Sequence, residues 1–179
     1  MLFDLWRSGG RVRGDHFRLF CGAAAELKMH VVISVARQVL ELFDDEGNQL
    51  AIYPVSTAAK GIGEQCGSNQ TPRGKHIIRA KIGGGCAPNT IFVGRRPTGE
   101  LWTPELAAAH PDKDWILTRI LWLSGCEPGR NRLGRCDTMR RYIYIHGCAE
   151  SARMGHPGSH GCIRMRNQDI IAFFDQVPV

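Results

Sequence analysis

Short runs rich in β-branched and aromatic residues, each cut off by glycine, proline or an acidic turn, constrain this chain more than any other feature. They occupy residues 30–35, 38–43, 50–53, 75–81 and 141–146. Side chains branched at Cβ pack well on a pleated surface and lose rotamer freedom in a helix, so runs of this length read as strands. Asp44-Asp45-Glu46-Gly47-Asn48 predicts a hairpin turn between the second and third runs. Thr71-Pro72-Arg73-Gly74 predicts a turn into the fourth, and residues 116–123 read as a further buried strand. Helical patterns are confined to two places. Pro104-Glu105-Leu106-Ala107-Ala108-Ala109 opens with a proline suited to a first helical position. Residues 167–175 open with Asn167, an N-cap type, and stop before Pro178. Many short strands and two short helices predict a mostly β domain of two antiparallel layers.

The chain's 179 residues suffice for one domain with its own core, and 43% hydrophobic with 22% charged residues is an ordinary globular balance. No run approaches the ~18–20 apolar residues of a membrane-spanning helix, so no membrane partner is expected. The net charge of +6 suits an anionic partner. Arg130, Arg132, Arg135, Arg140 and Arg141 crowd one segment, but no aromatic residues interleave with them and no nucleic-acid motif surrounds them. We therefore expect no nucleic acid, and a solvated basic loop or one that meets carboxylates or phosphates of a small ligand. Residues 1–28 read as a weakly ordered tail before a single domain at 29–179, with translation starting at Met1 or Met29. Arg7, Arg11, Arg13, Arg18, Asp4 and Asp15 interrupt the N-terminus, which lacks the uninterrupted apolar stretch of an export signal. With seven cysteines in no regular framework, this favours a reducing cytoplasm, or the periplasm if an export signal is missing from this chain. Residues 83–140 form a turn-rich insert holding Trp102, Trp115 and Trp122. We read it as a cap over the site, with the tryptophans as packing anchors.

The chemistry lies in the last third. His146-Gly147 is followed sixteen positions later by Cys162 within Ser159-His160-Gly161-Cys162-Ile163-Arg164-Met165. A thiol attacks as thiolate, and a neighbouring imidazole is a common means of making one. Cys162 is the expected nucleophile and His146 the base that takes its proton and returns it to a leaving amine. Gly161 and Cys162 are placed to offer backbone N–H groups to an oxyanion. His160 is expected to hold the loop or lend it positive character, and Ser159 to hydrogen-bond within it. Arg164 either binds a substrate carboxylate or pairs with an acid of the protein. No acid is obviously placed to orient His146, which leaves a backbone carbonyl, that of Gly147, as third member. Cys136, Cys148, His156 and His160 lack the paired short spacings of structural zinc sites, so neither metal nor cofactor is expected.

Residues 145–167, with this His-Gly, Gly155 and Ser-His-Gly-Cys-Ile-Arg-Met, resemble the signature of the YkuD-type L,D-transpeptidases. Val39-Leu40-Glu41-Leu42-Phe43, Tyr53-Pro54-Val55-Ser56-Thr57 and Thr71-Pro72-Arg73-Gly74 resemble that domain's opening strands and first substrate-side loop. The likeness runs from about Val31 to about Val177. It implies the family's β-sandwich and acyl transfer on peptidoglycan stem peptides or muropeptides. Cys162 would cleave the bond between an L-centre such as diaminopimelate and the terminal D-alanine through a thioester, with carbapenems acylating the same thiol. Short, signal-less members resemble cytoplasmic L,D-carboxypeptidases, which puts hydrolysis first and L,D cross-linking or D-amino-acid exchange second. A module that kept the fold but only binds peptidoglycan or metal is the third alternative. Cys148 departs from the small polar residue usual at its position, which makes it a second candidate for a reactive or metal-prone thiol.

Overall fold

The computed structural model describes residues 16–21 and 29–179. Ten strands and two α-helices follow in the order β1 (His16–Cys21), β2 (Met29–Ser34), β3 (Val39–Phe43), β4 (Gln49–Pro54), β5 (Gly74–Ile82), β6 (Thr90–Val93), β7 (Arg96–Leu101), α1 (Pro104–Ala109), β8 (Leu117–Gly125), β9 (Tyr144–Gly147), β10 (Ile163–Met165) and α2 (Asn167–Gln176). The fold is mostly β, as the strand runs predict. Within the stretch expected as a tail, His16–Cys21 instead forms β1, antiparallel to β2 and parallel to β5. The rest of that stretch lies outside the described residues.

The main path through the sheet is β10-β9-β8-β5-β1-β2-β3-β4, with β6 and β7 attached beside β8. It bends until its two ends meet: Ser56, just past β4, exchanges both backbone hydrogen bonds with Arg164 of β10. The two halves enclose one interior. Val31, Ile33, Leu40 and Leu42 from one side meet Leu121, Leu123, Ile145, Ile163 and Met165 from the other. Helix α2 covers this core with Ile170, Phe173 and Phe174. Phe173 is fully buried, and truncating such a ring to alanine costs about 3–5 kcal/mol.

Local chemistry explains the helix starts. Thr103 caps α1, its Oγ1 accepting from Leu106 N–H, with Pro104 following as predicted. At α2 the cap position belongs to Arg166, not Asn167. The Asn167 amide is spent elsewhere: its Oδ1 accepts from Thr118 Oγ1 at 2.7 Å and its Nδ2 donates to Asn89 Oδ1 at 2.6 Å. The 83–140 insert is not one cap. Its centre, β8, is a core strand, so the insert splits into two flanks on either side. Trp102 and Trp115 anchor a small second core with Ile91 and Leu117, whereas Trp122 is only half-buried. Among the described residues no helix is long and apolar enough to cross a membrane.

Candidate active site

Alternation along two paired strands assembles the site. β9 and β10 run parallel with Ile163 opposite Ile145 and Arg164 opposite His146. Ile145, Ile163 and Met165 point into the main core. Successive side chains in a strand take opposite faces, so Tyr144, His146, Cys162 and Arg164 share the outward face. Cys162 flanks β10 beside Tyr144, and its side chain packs in the cluster of Phe92, Ile120 and Tyr144. His146 stands one rung further on, about 6.6 Å along the strand direction. Residues 148–162 form the loop between these adjacent strands, and the sheet closes the gap.

His146 is buried, and its Nδ1 lies 2.8 Å from the Gly147 carbonyl oxygen. A carbonyl can only accept, so the ring proton sits on Nδ1 and Nε2 keeps its lone pair. Burial pushes the imidazole below its ordinary value of 6.5, against the opposing pull of Asp114 and the Gly147 carbonyl. The ring is therefore a neutral base at pH 7. Glycine at 147 is obligatory for packing: a Cβ there would stand 2.4 Å from Asn167 Oδ1 and 2.7 Å from the Leu117 carbonyl oxygen.

The Cys162 thiol donates to Tyr142 O at 3.5 Å and accepts from Tyr144 N–H at 3.4 Å. Among the described hydrogen bonds none joins Sγ to the imidazole, so proton transfer requires the thiol to turn away from Tyr142. Burial pushes the thiol up to about 12, only partly offset by the Tyr144 N–H. The resting site is thus a neutral thiol beside a neutral imidazole, not an ion pair.

The loop carrying Cys162 is fastened from beneath. Ser159 Oγ donates to the Cys162 carbonyl and accepts from Gly161 N–H at 3.2 Å. Gly161 N–H is therefore already committed, which corrects its assignment as an oxyanion donor. Thr71 Oγ1 donates to the Gly161 carbonyl and accepts from Ala58 N–H, both at 3.0 Å. This explains why the upstream Thr71-Pro72 and Ser56-Thr57 segments accompany the motif. Gly161 has φ +128°, a conformation open to glycine, and a Cβ there would press on Ile143 at 3.1 Å.

Arg164 pairs with an acid of the protein, the second of its two expected roles. Its Nη2 lies 2.6 Å from Asp114 Oδ1, and its Nη1 donates to Gly158 O at 3.0 Å. His160 is exposed and meets the other Asp114 oxygen, Nδ1 to Oδ2 3.0 Å. Burial raises the Asp114 carboxyl, but the hydrogen bonds from Arg164 and His160 outweigh it and hold it below its usual range. Sequence reading missed Asp114. It precedes β8 in an unpatterned loop, thirty-two positions from His146, and only the fold brings it to the site. Asp114, His160 and Arg164 line a cavity of about 590 Å³ with Trp115 and Cys148. Cys148 itself is buried, donates to Met165 O at 3.2 Å and is pushed by burial to about 11, so it is an inert thiol. Among the described residues no three His, Cys, Asp or Glu side chains group to hold a metal ion. In the basic segment Arg130 pairs with Glu127, and Arg141 donates to the carbonyls of Gly63 and Gln70.

Among solved structures, the L,D-transpeptidase LdtMt1 in complex with imipenem is 14% identical, with a TM-score of 0.44 over 87% of this chain and 66% of that one. An L,D-transpeptidase from Mycobacterium smegmatis is 15% identical, with a TM-score of 0.40 over 85% of this chain and 64% of that one. The chain thus spans just under two thirds of either protein's length. No curated protein matches it. The profile of the YkuD family, the L,D-transpeptidase catalytic domain, matches residues 28–179. On that match over most of its length, the chain belongs to the L,D-transpeptidase catalytic domain family.

Proposed function

We propose that this protein is a cysteine acyltransferase of peptidoglycan stem tetrapeptides, acting first as an L,D-carboxypeptidase. The observation that carries the reading is the shared outward face of Tyr144, His146, Cys162 and Arg164, with the His146 tautomer fixed by Gly147 O. Substrate entering over β9 and β10 displaces the thiol from Tyr142 O. Sγ attacks the carbonyl carbon of the third residue, an L-centre, while its proton passes to His146 Nε2. The Cys162 N–H donates to the oxyanion, since Gly161 N–H is bound to Ser159. Collapse breaks the C–N bond, and Nε2 gives its proton to the departing D-alanine amine. Water then attacks the thioester, His146 takes its proton, and the tripeptide acid leaves with Cys162 restored as thiol.

An amine in place of water would yield an L,D cross-link or an exchanged D-amino acid. What supports hydrolysis first is a set of six free cysteines among the described residues, in keeping with a reducing cytoplasm in which recycled muropeptides, not assembled wall, are at hand. The exposed arginines of the basic segment suit such anionic fragments. The test is a disaccharide tetrapeptide incubated with purified protein, with and without added D-amino acid, and the products weighed. Loss of one D-alanine with water gained supports the reading. Dimers or exchanged peptides alone move the assignment to transpeptidation, and unchanged substrate with no carbapenem adduct on Cys162 overturns both.

A further inference from the structure

Three arginines lie along β9 and the turn before it, and two of them are spent. Arg164 is held by Asp114 and Gly158 O, and Arg141 by the carbonyls of Gly63 and Gln70. The third, Arg95, comes from the turn between β6 and β7. Its guanidinium carbon lies 4.5 Å from the centre of the Trp122 ring and 4.9 Å from that of Tyr142, and its Nη1 donates to Tyr144 Oη at 3.0 Å. Two of those residues touch Cys162 through their backbones, and Trp122 belongs to the same packed cluster. Tyr142 O and Tyr144 N–H are the hydrogen-bond partners of its sulfur, and Trp122 pairs with Tyr144 across β8 and β9.

A guanidinium lying against aromatic rings offers them its π face, which leaves the N–H groups around its edge for hydrogen bonding in the plane. Arg95 has five such donors and spends one on Tyr144 among the described hydrogen bonds. Contact with two rings and a hydroxyl fixes the group before any ligand arrives, so little of its freedom remains to be lost on binding. It stands on the Tyr142 side of Cys162, away from the Asp114–Arg164 pair beside His146.

We infer that Arg95 is a substrate-binding residue whose edge N–H groups receive the free carboxylate at the end of the peptide substrate, so that the enzyme selects substrates by that terminal charge. Trp122, Tyr142 and Tyr144 form its rigid seat. This rests on the acyl-transfer reading for its setting, and the test separates the two. One tetrapeptide is prepared with a free terminal carboxylate and again as the carboxamide, and kcat/KM is measured for the wild type, Arg95→Ala and Arg95→Lys. The wild type should favour the carboxylate at least tenfold, chiefly in KM. Arg95→Ala should erase that preference by lowering kcat/KM at least tenfold more for the carboxylate than for the carboxamide, and Arg95→Lys should keep part of it.

Equal losses on both peptides, or an unchanged preference, overturn the inference while leaving acyl transfer intact. Should neither peptide be turned over, the functional reading fails, and calorimetric binding of the same two peptides to Cys162→Ala decides the inference alone. A preference there that Arg95→Ala removes sustains it, and no preference, or no binding, ends it.

Discussion

The neutral resting pair makes a sharp prediction about alkylation. With the thiol near 12 and an ordinary thiol near 9.0, Cys162 holds about a thousandfold less thiolate at pH 7 than an unburied cysteine. Iodoacetamide reacts with the thiolate, so the Cys162 rate should be depressed by about that factor and climb about tenfold per pH unit up to pH 10. Peptide mapping after timed quenching measures it, with exposed Cys66 as the internal reference. His146→Ala should leave the slope unchanged, because the imidazole makes no described hydrogen bond to the sulfur. A plateau reached by pH 6 or 7, and lost in His146→Ala, would refute the reasoning, since it would mean a preformed thiolate–imidazolium pair. The same logic sets the acid limb of kcat/KM. His146 must be neutral to act as base and burial lowers it, so activity should persist below pH 6.5 before it falls.

Removing the Asp114 charge with Asp114→Asn takes away an attraction for the imidazolium, so the acid limb should move to still lower pH; a limb that stays or moves up would contradict the placement of Asp114. His76 is fully buried, hydrogen-bonded to Thr138 Oγ1, and lowered to about 4 chiefly by burial. The unfolded chain thus takes up a proton first as pH falls from about 6.5, and about 3 kcal/mol of stability present above that value should be lost by pH 4. Thermal melts should drop by about 6–12 °C across that window, and His76→Gln should flatten it. Thr118→Val keeps the shape but leaves Asn89 N–H and Asn167 Oδ1 without their hydroxyl partner, a loss of about 2–4 kcal/mol, whereas Thr118→Ser should cost little.

Strand and helix positions were legible because their signals are local. The β-branched and aromatic runs at 30–35, 38–43, 50–53 and 75–81 became β2 to β5, the 116–123 run became β8, and Thr103-Pro104 opened α1 where proline chemistry predicts it. The β6–β7 hairpin escaped because β7, Arg-Pro-Thr-Gly-Glu-Leu, is exposed throughout and carries no apolar face to betray it. β10 escaped because three residues cannot establish a period, and here the Cys-Ile-Arg-Met motif drew attention to chemistry instead. Asn167 misled for a physical reason: an amide suited to capping was worth more to the fold as a buried partner of Thr118 and Asn89. Asp114 and Arg95 lay beyond any sequence reading, since a lone acid and a turn arginine acquire meaning only from the strands that carry them to Cys162.

The strand that carries His146 also explains where the fold tolerates strain. Tyr142, just before β9, has φ +56°, and Thr118, opposite its far end, has φ +68°, both unusual for residues with a Cβ. Between Leu117 and Ile120 the β8–β9 register slips, so Thr118 and Arg119 bulge out beside the His146–Gly147 peptide. These two places are also where the site is set: Tyr142 O holds the thiol proton, and the Gly147 carbonyl holds the imidazole. Residues in such conformations cost about 1–3 kcal/mol each and persist only where their surroundings over-determine them. Ile143 and Ile145 supply that restraint, buried between Leu121, Leu123, Ile163 and Met165 on the inner face. The inner face thus holds the strand rigid enough for its two strained ends to aim a thiol and an imidazole outward, and loosening that core should disorder the chemistry before it unfolds the domain.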